Sequence, residues 1–477
     1  MPAVTFVRAR RTGERLDPLP ASAEGRELTV ASTAGDRKAA IRGVVVGDVW
    51  ICSGQSNMEW PVRITFEPEK TANESTDDGL RMFTVTKAIS DTELKDVTGS
   101  WQPAGPTTTP NFSAVGYHFA KTLRKTLGCP IGMIHTSWGG TRIEAWTSPA
   151  TNIAAGMSKD EFKPGDNRNA NKASVLYNAM LVPVAKYTVT GAIWYQGESN
   201  AGNPMKYRTQ LPAMIADWRN VFQTPDLVFL PVQLAPFTAN GNNATSYAEI
   251  REAQSMAAEK DKRVGVAVIT DVGEEKDIHP RKKGPVGERL ALQAARIAYG
   301  KKNDGASPSL RNVRYYDGTA MVSFRNTGAG LVIKGGTINE NPVPSDKLMG
   351  FQISGADGVW YDADAEIIDR QPHRHGAGVA DGLLRVLDHL AQQALVVHPQ
   401  LGHVGRAALH ILGEGIGEQV IDVLEIVGRG RQGYLRLGRH RTMANSTHAI
   451  AHDDAHGGIE NRLAALLATL ATGLAPL

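Results

Sequence analysis

Ser56 lies in a segment whose residue types could carry out nucleophilic chemistry. Residues 47–60, GDVWICSGQSNMEW, open with an apolar run that predicts a strand and then change abruptly to small and polar residues. A turn from a strand into a helix can hold a serine clear of a sheet, with its backbone N–H facing a developing oxyanion. Ser56 is therefore either a nucleophile or an ordinary helix N-cap, and this segment alone leaves both open.

Two further clusters of small and polar residues follow predicted strands. Residues 134–142, IHTSWGGTR, contain the pair Gly139 and Gly140, which predicts either a simple tight turn or a close backbone approach to a ligand. Residues 194–200, WYQGESN, offer amide and carboxylate side chains. Because open α/β sheets bind ligands at the carboxyl ends of their strands, we expect the three clusters to converge.

His279 is the candidate base. It stands in DVGEEKDIHP, residues 271–280, and is one of three histidines in the first 370 residues. A nucleophilic serine needs a base of near-neutral pKa and an acid that orients it, and Asp277 is close in sequence. We expect His118, within a predicted helix, to be structural. For His135 we expect packing, with lining of a pocket as the alternative.

Four motifs in order carry a resemblance to a known family. The segments SGQSNMEW (53–60), SWGGT (137–141), WYQGESN (194–200) and DIHP (277–280) resemble the sialate O-acetylesterases, carbohydrate esterases of the wider SGNH (GDSL-like) hydrolase group. The resemblance extends from about Leu28 to Ile368. It implies a flavodoxin-like three-layer sandwich, Ser56 as nucleophile, His279 as base, and no metal or other cofactor.

The same resemblance implies an oxyanion hole and a substrate pocket. The hole would use the backbone N–H groups of Ser56 and of Gly139 or Gly140, with a side-chain donor from the third motif. We expect that donor to be Gln196, with Asn200 as the second choice. The residues expected to line the pocket are Gln55, Asn57, Trp138 and Glu198.

The acid that orients His279 is open. Many members of the wider group place it three residues before the histidine, where this chain has Lys276. Asp277, two residues before, is the assignment made here. The alternatives are a backbone carbonyl and the carboxylates of Glu198, Glu274 and Glu275.

The implied activity is removal of acetyl groups from sugars, so the expected partner is an acetylated carbohydrate. The alternatives are an acetylxylan esterase or other small-ester hydrolase, and an inactive carbohydrate-binding protein. A net charge of +3 with interspersed charges predicts no nucleic-acid binding, and no apolar run predicts a membrane span. The first fifteen residues predict no secretory signal, although relatives of this kind are usually exported.

The elements expected to position these residues form an α/β/α sandwich over 43–300. Helices are predicted by four-residue apolar spacing around Phe119 and Leu290, and again around Leu211 and Ile250. The inserts 63–111 and 147–174 are polar and turn-rich, so we expect them to cross over the strand ends. The sheet should have five parallel strands, at Val44–Cys52, Ile131–Thr136, Gly191–Tyr195, Leu227–Leu234 and Val264–Thr270.

The chain ends differ from this centre. Residues 1–42 predict an atypical segment with a β remnant, and 301–370 a small β-rich region with strands near 313, 320, 331 and 351. Residues 371–477 lack Lys, Trp, Phe and Cys but hold ten of the thirteen histidines. This tail is either an unrelated helical domain or the product of a shifted reading frame. We expect no metal at His448, His452 and His456, and both cysteines as buried thiols.

Overall fold

The computed structural model describes the chain with short gaps between residues 19 and 316, and in separate short segments beyond them. It covers 19–31, 38–165, 169–237, 246–274, 276–302 and 305–316. Shorter described segments follow at 319–327, 331, 336–338, 341–343, 348, 351–354, 360–368, 382–387, 396–399, 409–412 and 418–421. His448, His452 and His456, at which no metal is expected, lie outside the described residues.

Eight strands and seven α-helices precede residue 301 in the described chain. The strands are β1 Ser22–Ala31, β2 Lys38–Val46, β3 Asp48–Gly54, β4 Asp77–Thr84, β5 Trp101–Ala104, β6 Ile131–Ser137, β7 Gly191–Tyr195 and β8 Val228–Pro231. The helices are α1 Ser56–Glu59, α2 Pro68–Asn73, α3 Ala114–Leu127, α4 Pro149–Ala154, α5 Pro204–Val221, α6 Ser246–Lys260 and α7 Gly284–Ile297.

The central sheet has six strands in the order β5-β4-β6-β3-β7-β8. Strand β5 runs antiparallel to β4, whereas the other neighbours are parallel. Every residue of β6, β7 and β8 is buried, as expected of strands covered by helices on both faces. The predicted α/β sandwich is confirmed, but its sheet is mixed and six-stranded, not five-stranded and purely parallel.

The prediction of a strand at Val264–Thr270 is wrong. This segment runs beside β8 but makes only two isolated parallel bridges, Phe229 to Val264 and Val232 to Ala267. Pro231 lies between the two bridges and has no N–H, so it cannot donate the bond that would join them into a ladder. The segment is still held by hydrogen bonds at both ends, from Gly265 N to Phe229 O and from Gln233 N to Ala267 O.

Strands β4 and β5 occupy the opposite edge of the sheet, inside the insert predicted to cross over the strand ends. Leu80 and Met82 of β4 are buried and alternate with more exposed residues, which is the period of a strand. Strand β4 pairs in parallel with β6. The expectation for 63–111 is therefore corrected in part, since the middle of the insert extends the sheet.

The four predicted helices are confirmed as α3, α5, α6 and α7. Helix α3 starts at the Ser113 cap, whose hydroxyl accepts from Gly116 N, and ends at Gly128, which has φ 72°. Helices α3 and α7 pack closely at Gly287, because this residue has no side chain. A Cβ atom there would lie 2.6 Å from the His118 Cβ. His118 therefore lies between two helices.

The regions outside the central sheet are β-rich where they are described. Strands β1 and β2 form an antiparallel hairpin. Beyond residue 300 the strands are β9 Ser309–Tyr316, β10 Thr319–Arg325, β11 Gly336–Ile338, β12 Asn341–Val343, β13 Phe351–Ser354, β14 Trp360–Asp362, β15 Asp364–Ile368, β16 Gly382–Leu387, β17 Val396–Pro399, β18 Leu409–Leu412 and β19 Glu418–Ile421.

Strand β16 comes from the compositionally distinct tail, yet it pairs with β10 and β15 in one four-stranded sheet. The strands predicted near 313, 320 and 351 are found as β9, β10 and β13, whereas most of the one predicted at 331–333 lies outside the described residues. The proposed domain boundaries at 43, 301 and 371 stay predictions.

Both cysteines are expected to be buried thiols. Cys52 is buried, but Cys129 is only half-buried, so the expectation is corrected for Cys129.

Candidate active site

Ser56 is held at the carboxyl edge of the sheet by a turn that only glycine allows. Gly54, the last residue of β3, has φ 139°, and a Cβ there would lie 2.1 Å from the carbonyl oxygen of Tyr195 in β7. The next N–H, that of Gln55, donates to the same carbonyl at 2.9 Å. Ser56 then opens α1 and is half-buried.

Gly54→Ala should therefore destabilise the protein. We expect the free energy of unfolding to fall by more than about 2 kcal/mol, because the methyl group meets the Tyr195 carbonyl and the backbone angle is strained. Urea unfolding followed by tryptophan fluorescence measures this. Gly202→Ala is the matched control, since nothing lies within 4 Å of a Cβ at that position. Equal unfolding midpoints for the two variants would contradict the argument.

The Ser56 hydroxyl meets the imidazole of His279. The distance from Ser56 Oγ to His279 Nε2 is 2.8 Å, although the two residues are 223 positions apart. His279 lies in the loop before α7, so the first and last motifs converge at one edge of the sheet. Hydrogen-bond reach between a serine and a histidine is the geometry that allows the imidazole to take the serine proton.

The surroundings of His279 favour its neutral form. The indole of Trp60 stacks on the imidazole, with ring centroids 4.6 Å apart and planes inclined by 17°. Burial lowers the pKa of His279, and the positive charge of Lys283 lowers it further, while Asp277 acts in the opposite direction. A neutral imidazole can accept a proton at neutral pH, as a general base must.

Asp277 forms no hydrogen bond with the imidazole ring in the described structure. Its Oδ1 accepts the backbone N–H of His279 at 2.8 Å, and its side chain is exposed. Glu274 likewise accepts a backbone N–H, that of Arg281. Among the described residues no carboxylate bonds Nδ1 of His279, and Glu275 lies outside them. The expected role of Asp277 is therefore corrected, because its two-residue spacing directs the carboxylate to the loop backbone.

The glycine pair of the second motif lies beside Ser56. A Cβ on Gly139 would be 3.3 Å from the Ser56 Cβ. However, the Gly139 N–H donates to Oε2 of Glu59 at 2.6 Å, so this expected oxyanion donor is engaged. Gly140 has φ 73°, and no described residue accepts its N–H. Of the two glycines, Gly140 is the one whose N–H is available in this structure.

The two amides expected as side-chain oxyanion donors serve the interior instead. Gln196 is fully buried, and its Nε2 donates to Asn200 Oδ1 at 2.7 Å and to Thr141 O at 3.2 Å. Its Oε1 accepts from the Tyr207 hydroxyl. Nδ2 of Asn200 donates to Glu144. Gln196 thus uses both of its amide protons within the protein, which corrects its expected role, whereas Asn200 uses one of its two.

Comparison with known proteins identifies the family. Residues 46–296 match the sequence model of a family described as carbohydrate esterase, sialic acid-specific acetylesterase, over more than half of the chain. The chain belongs to this acetylesterase family. The matched range contains both Ser56 and His279.

Individual relatives of the chain are also acetylesterases by name. The chain is 35% identical to the sialate O-acetylesterases of Pongo abelii and Homo sapiens over 290 residues, which is 55% of this chain and 55% of each relative. It thus spans about half the length of these curated relatives. A crystal structure of a carbohydrate acetylesterase from Xanthomonas citri is 33% identical, with a TM-score of 0.67, and the match covers 83% of this chain and 82% of that one.

The expected pocket residues differ in their burial and partners. Gln55 and Asn57, which flank Ser56 in sequence, are buried, and Oε1 of Gln55 accepts the Ser199 N–H at 3.2 Å. Glu198 Oε1 accepts from Asn57 at 2.6 Å. Trp138 is half-buried, with Lys87 Nζ 5.2 Å from its ring centroid. Gln55 and Asn57 therefore join the Ser56 turn to the third motif by hydrogen bonds, whereas Trp138 is partly exposed to solvent.

Two residues that sequence reasoning missed contact the site. Glu59 holds the Gly139 N–H and pairs with Lys87 at 2.6 Å. Lys283 is buried against Asn57. Glu59 stands within the first motif and could have been considered there, but Lys283 follows Lys282 in a pair that is typical of a solvated surface. Only the fold distinguishes these two lysines.

The described part of the chain contains no group of three His, Cys, Asp or Glu side chains arranged to hold a metal ion. In the same residues, no helix combines the length and the apolar character that crossing a membrane requires.

His135 is buried, with its Nε2 2.5 Å from the Ser137 hydroxyl. It thus lies within the sheet interior.

Proposed function

We propose that this protein is a carbohydrate O-acetylesterase that works through an acetyl-enzyme on Ser56. The observation that carries the proposal is the 2.8 Å contact between Ser56 Oγ and His279 Nε2 at the edge of the family's sheet. Membership of the acetylesterase family and the names of the relatives support the ester-hydrolase chemistry. Because the curated relatives are about twice as long as the matched region, their activity is carried over only as a proposal.

In the first half-reaction the Ser56 oxygen attacks the acetyl carbonyl carbon while Nε2 of His279 takes the hydroxyl proton. The carbonyl π electrons move to oxygen and form a tetrahedral oxyanion. When this intermediate collapses, the bond to the sugar oxygen breaks. The imidazolium returns its proton to that oxygen, so the sugar leaves as an alcohol and the acetyl group stays on Ser56.

The second half-reaction repeats these steps with water. His279 takes a proton from water as its oxygen attacks the acetyl-enzyme, and then gives the proton back to Ser56 Oγ as acetate leaves. The oxyanion would be stabilised by the Ser56 N–H, which has no acceptor within α1, and by the Gly140 N–H. The Gly139 N–H could join them only if Glu59 releases it.

The sugar that carries the acetyl group is tested by direct comparison. We expect acetate release from O-acetylated sialic acid to exceed release from acetylated xylan, in line with the names of the curated relatives. The opposite order would favour an acetylxylan esterase on the same machinery. The proposal fails if the parent protein hydrolyses the two sugar substrates and p-nitrophenyl acetate no faster than Ser56→Ala does. That result would favour the alternative of an inactive carbohydrate-binding protein.

The rate should depend on pH through His279. Since the base must be neutral, kcat/KM should fall as the pH drops through the pKa of His279 and level off above it. Burial and Lys283 lower this pKa, so we expect the midpoint below 6.5, the ordinary value for histidine. Initial rates with p-nitrophenyl acetate between pH 4 and 8 measure it, and a midpoint above 7 would contradict the assigned environment.

A further inference from the structure

Lys283 is a fully buried lysine beside the proposed active site. It is 1% exposed, immediately precedes α7, and its Nζ lies 5.9 Å from the ring centroid of Trp60 and 5.4 Å from that of Tyr195. Its ammonium group donates to Oδ1 of Asn57. Burial of an ammonium is costly unless nearby groups compensate it, so this position is unusual for a lysine that serves packing alone.

Asn57 connects three parts of the site through one amide. It follows Ser56 in sequence, and its Nδ2 donates to Glu198 Oε1 at 2.6 Å and to the backbone carbonyl of Ile278 at 2.8 Å. Ile278 immediately precedes His279. The amide therefore ties the nucleophile turn to the loop that carries the base and to the third motif.

Lys283 supports the orientation of this amide from its oxygen side. The ammonium of Lys283 can only donate and the Ile278 carbonyl can only accept. The Glu198 carboxyl group, whose pKa is raised by burial, likewise only accepts when it is ionised. Rotating the amide by 180° would place its NH₂ against the ammonium and its oxygen against two acceptors. All three partners thus favour the observed orientation, and among the described residues Lys283 is the one that donates to the amide oxygen.

We propose that Lys283 is a positioning residue: through Asn57 it fixes the turn that carries Ser56 in register with the loop that carries His279. The inference rests on the proposed esterase function, because the register matters for proton transfer between these two side chains. Lys283 itself contacts neither Ser56 nor His279 by a hydrogen bond in the described structure.

The charge of Lys283 provides a readout that a purely structural role would lack. The charged groups that act on it are Glu198, Asp277 and Glu274, and His118 of α3 faces the adjacent Gly284. Burial lowers the pKa of Lys283 to about 7, against the opposing effect of these carboxylates, and burial lowers that of His118 to about 4. As the pH falls through about 7, Lys283 gains its proton, and its positive charge lowers the pKa of His279.

Lys283→Met removes the donor and the charge but keeps an unbranched side chain. We expect kcat for p-nitrophenyl acetate to fall about 10- to 100-fold, with KM changing much less, because a displaced nucleophile slows the chemical step. The acid limb of the kcat/KM profile should move to higher pH. Lys282→Met is the matched control, since Lys282 is exposed next to it and should keep the parent profile. Identical profiles for the two variants would overturn the proposal.

Two measurements keep the test decisive. Should Lys283→Met fail to fold, Asn57→Ala removes the same link and retains the lysine; a parent-like kcat in that variant overturns the proposal, and a 10- to 100-fold loss supports it. Independently of turnover, an NMR titration of the full chain, with the His279 signal assigned through His279→Gln, should show a higher His279 pKa in Lys283→Met than in Lys282→Met. If the parent protein shows no esterase activity, a higher His279 pKa in Lys283→Met still supports the electrostatic link between Lys283 and His279. Equal His279 pKa values in the two variants would exclude that link.

Discussion

Ser56→Ala should lose nearly all esterase activity while keeping the parent stability. Removing the hydroxyl removes the only atom described within reach of His279 Nε2 that can form the acetyl-enzyme. Loss of a serine nucleophile in hydrolases of this chemistry costs on the order of 10⁴- to 10⁶-fold in rate. Initial rates of p-nitrophenyl acetate hydrolysis measure the loss, and urea unfolding checks that the fold is intact.

Ser199→Ala is the control for this variant. Ser199 is half-buried in the third motif and meets the site through its backbone N–H, which the substitution retains. We expect its activity to stay within about threefold of the parent, as is usual for a change outside the reacting groups. If Ser56→Ala keeps more than about one per cent of the parent rate, a different nucleophile or no acetyl-enzyme is indicated.

The helices of this fold could be predicted from sequence more securely than the sheet edges. Phe119 and Leu290 each belong to apolar stripes with helical spacing, a local signal that survives without knowledge of the tertiary structure. In strand β4 the fully buried apolar side chains are those of Leu80 and Met82, and they lie inside a polar insert. At the other edge Pro231 interrupts the ladder with Val264–Thr270, a detail that depends on which residues face each other across two strands.

The candidate site divides in the same way. That Ser56 and His279 should meet follows from motifs at strand ends, because parallel strands bring their carboxyl ends to one edge. The amide roles could not be predicted, since they depend on long-range partners. Gln196 bonds Tyr207 of α5, and Asn57 bonds the buried Lys283. Residue type and local spacing favoured Gln196 over Asn200 as the oxyanion donor, but only the packed structure shows which partners these amides bond.

His279→Ala should reduce kcat/KM on the order of 10⁴-fold, because Ser56 then has no base to take its proton and the leaving sugar has no acid. The substitution also empties the space against the indole of Trp60, which lies 4.6 Å from the imidazole centroid. Imidazole added to the buffer can occupy that space and accept the proton. We therefore expect it to restore part of the activity of His279→Ala in a saturable manner.

The rescue separates a base from a structural histidine. After subtraction of the hydrolysis that imidazole causes without enzyme, Ser56→Ala should gain nothing, since it lacks the hydroxyl to be activated, and the parent enzyme should be unaffected. The restored rate of His279→Ala should rise with pH through the pKa of free imidazole, not through that of the buried side chain, because the proton acceptor is now the added molecule. Activity that remains high in His279→Ala without imidazole would show that another group takes the Ser56 proton, and the 2.8 Å contact would then be a packing interaction.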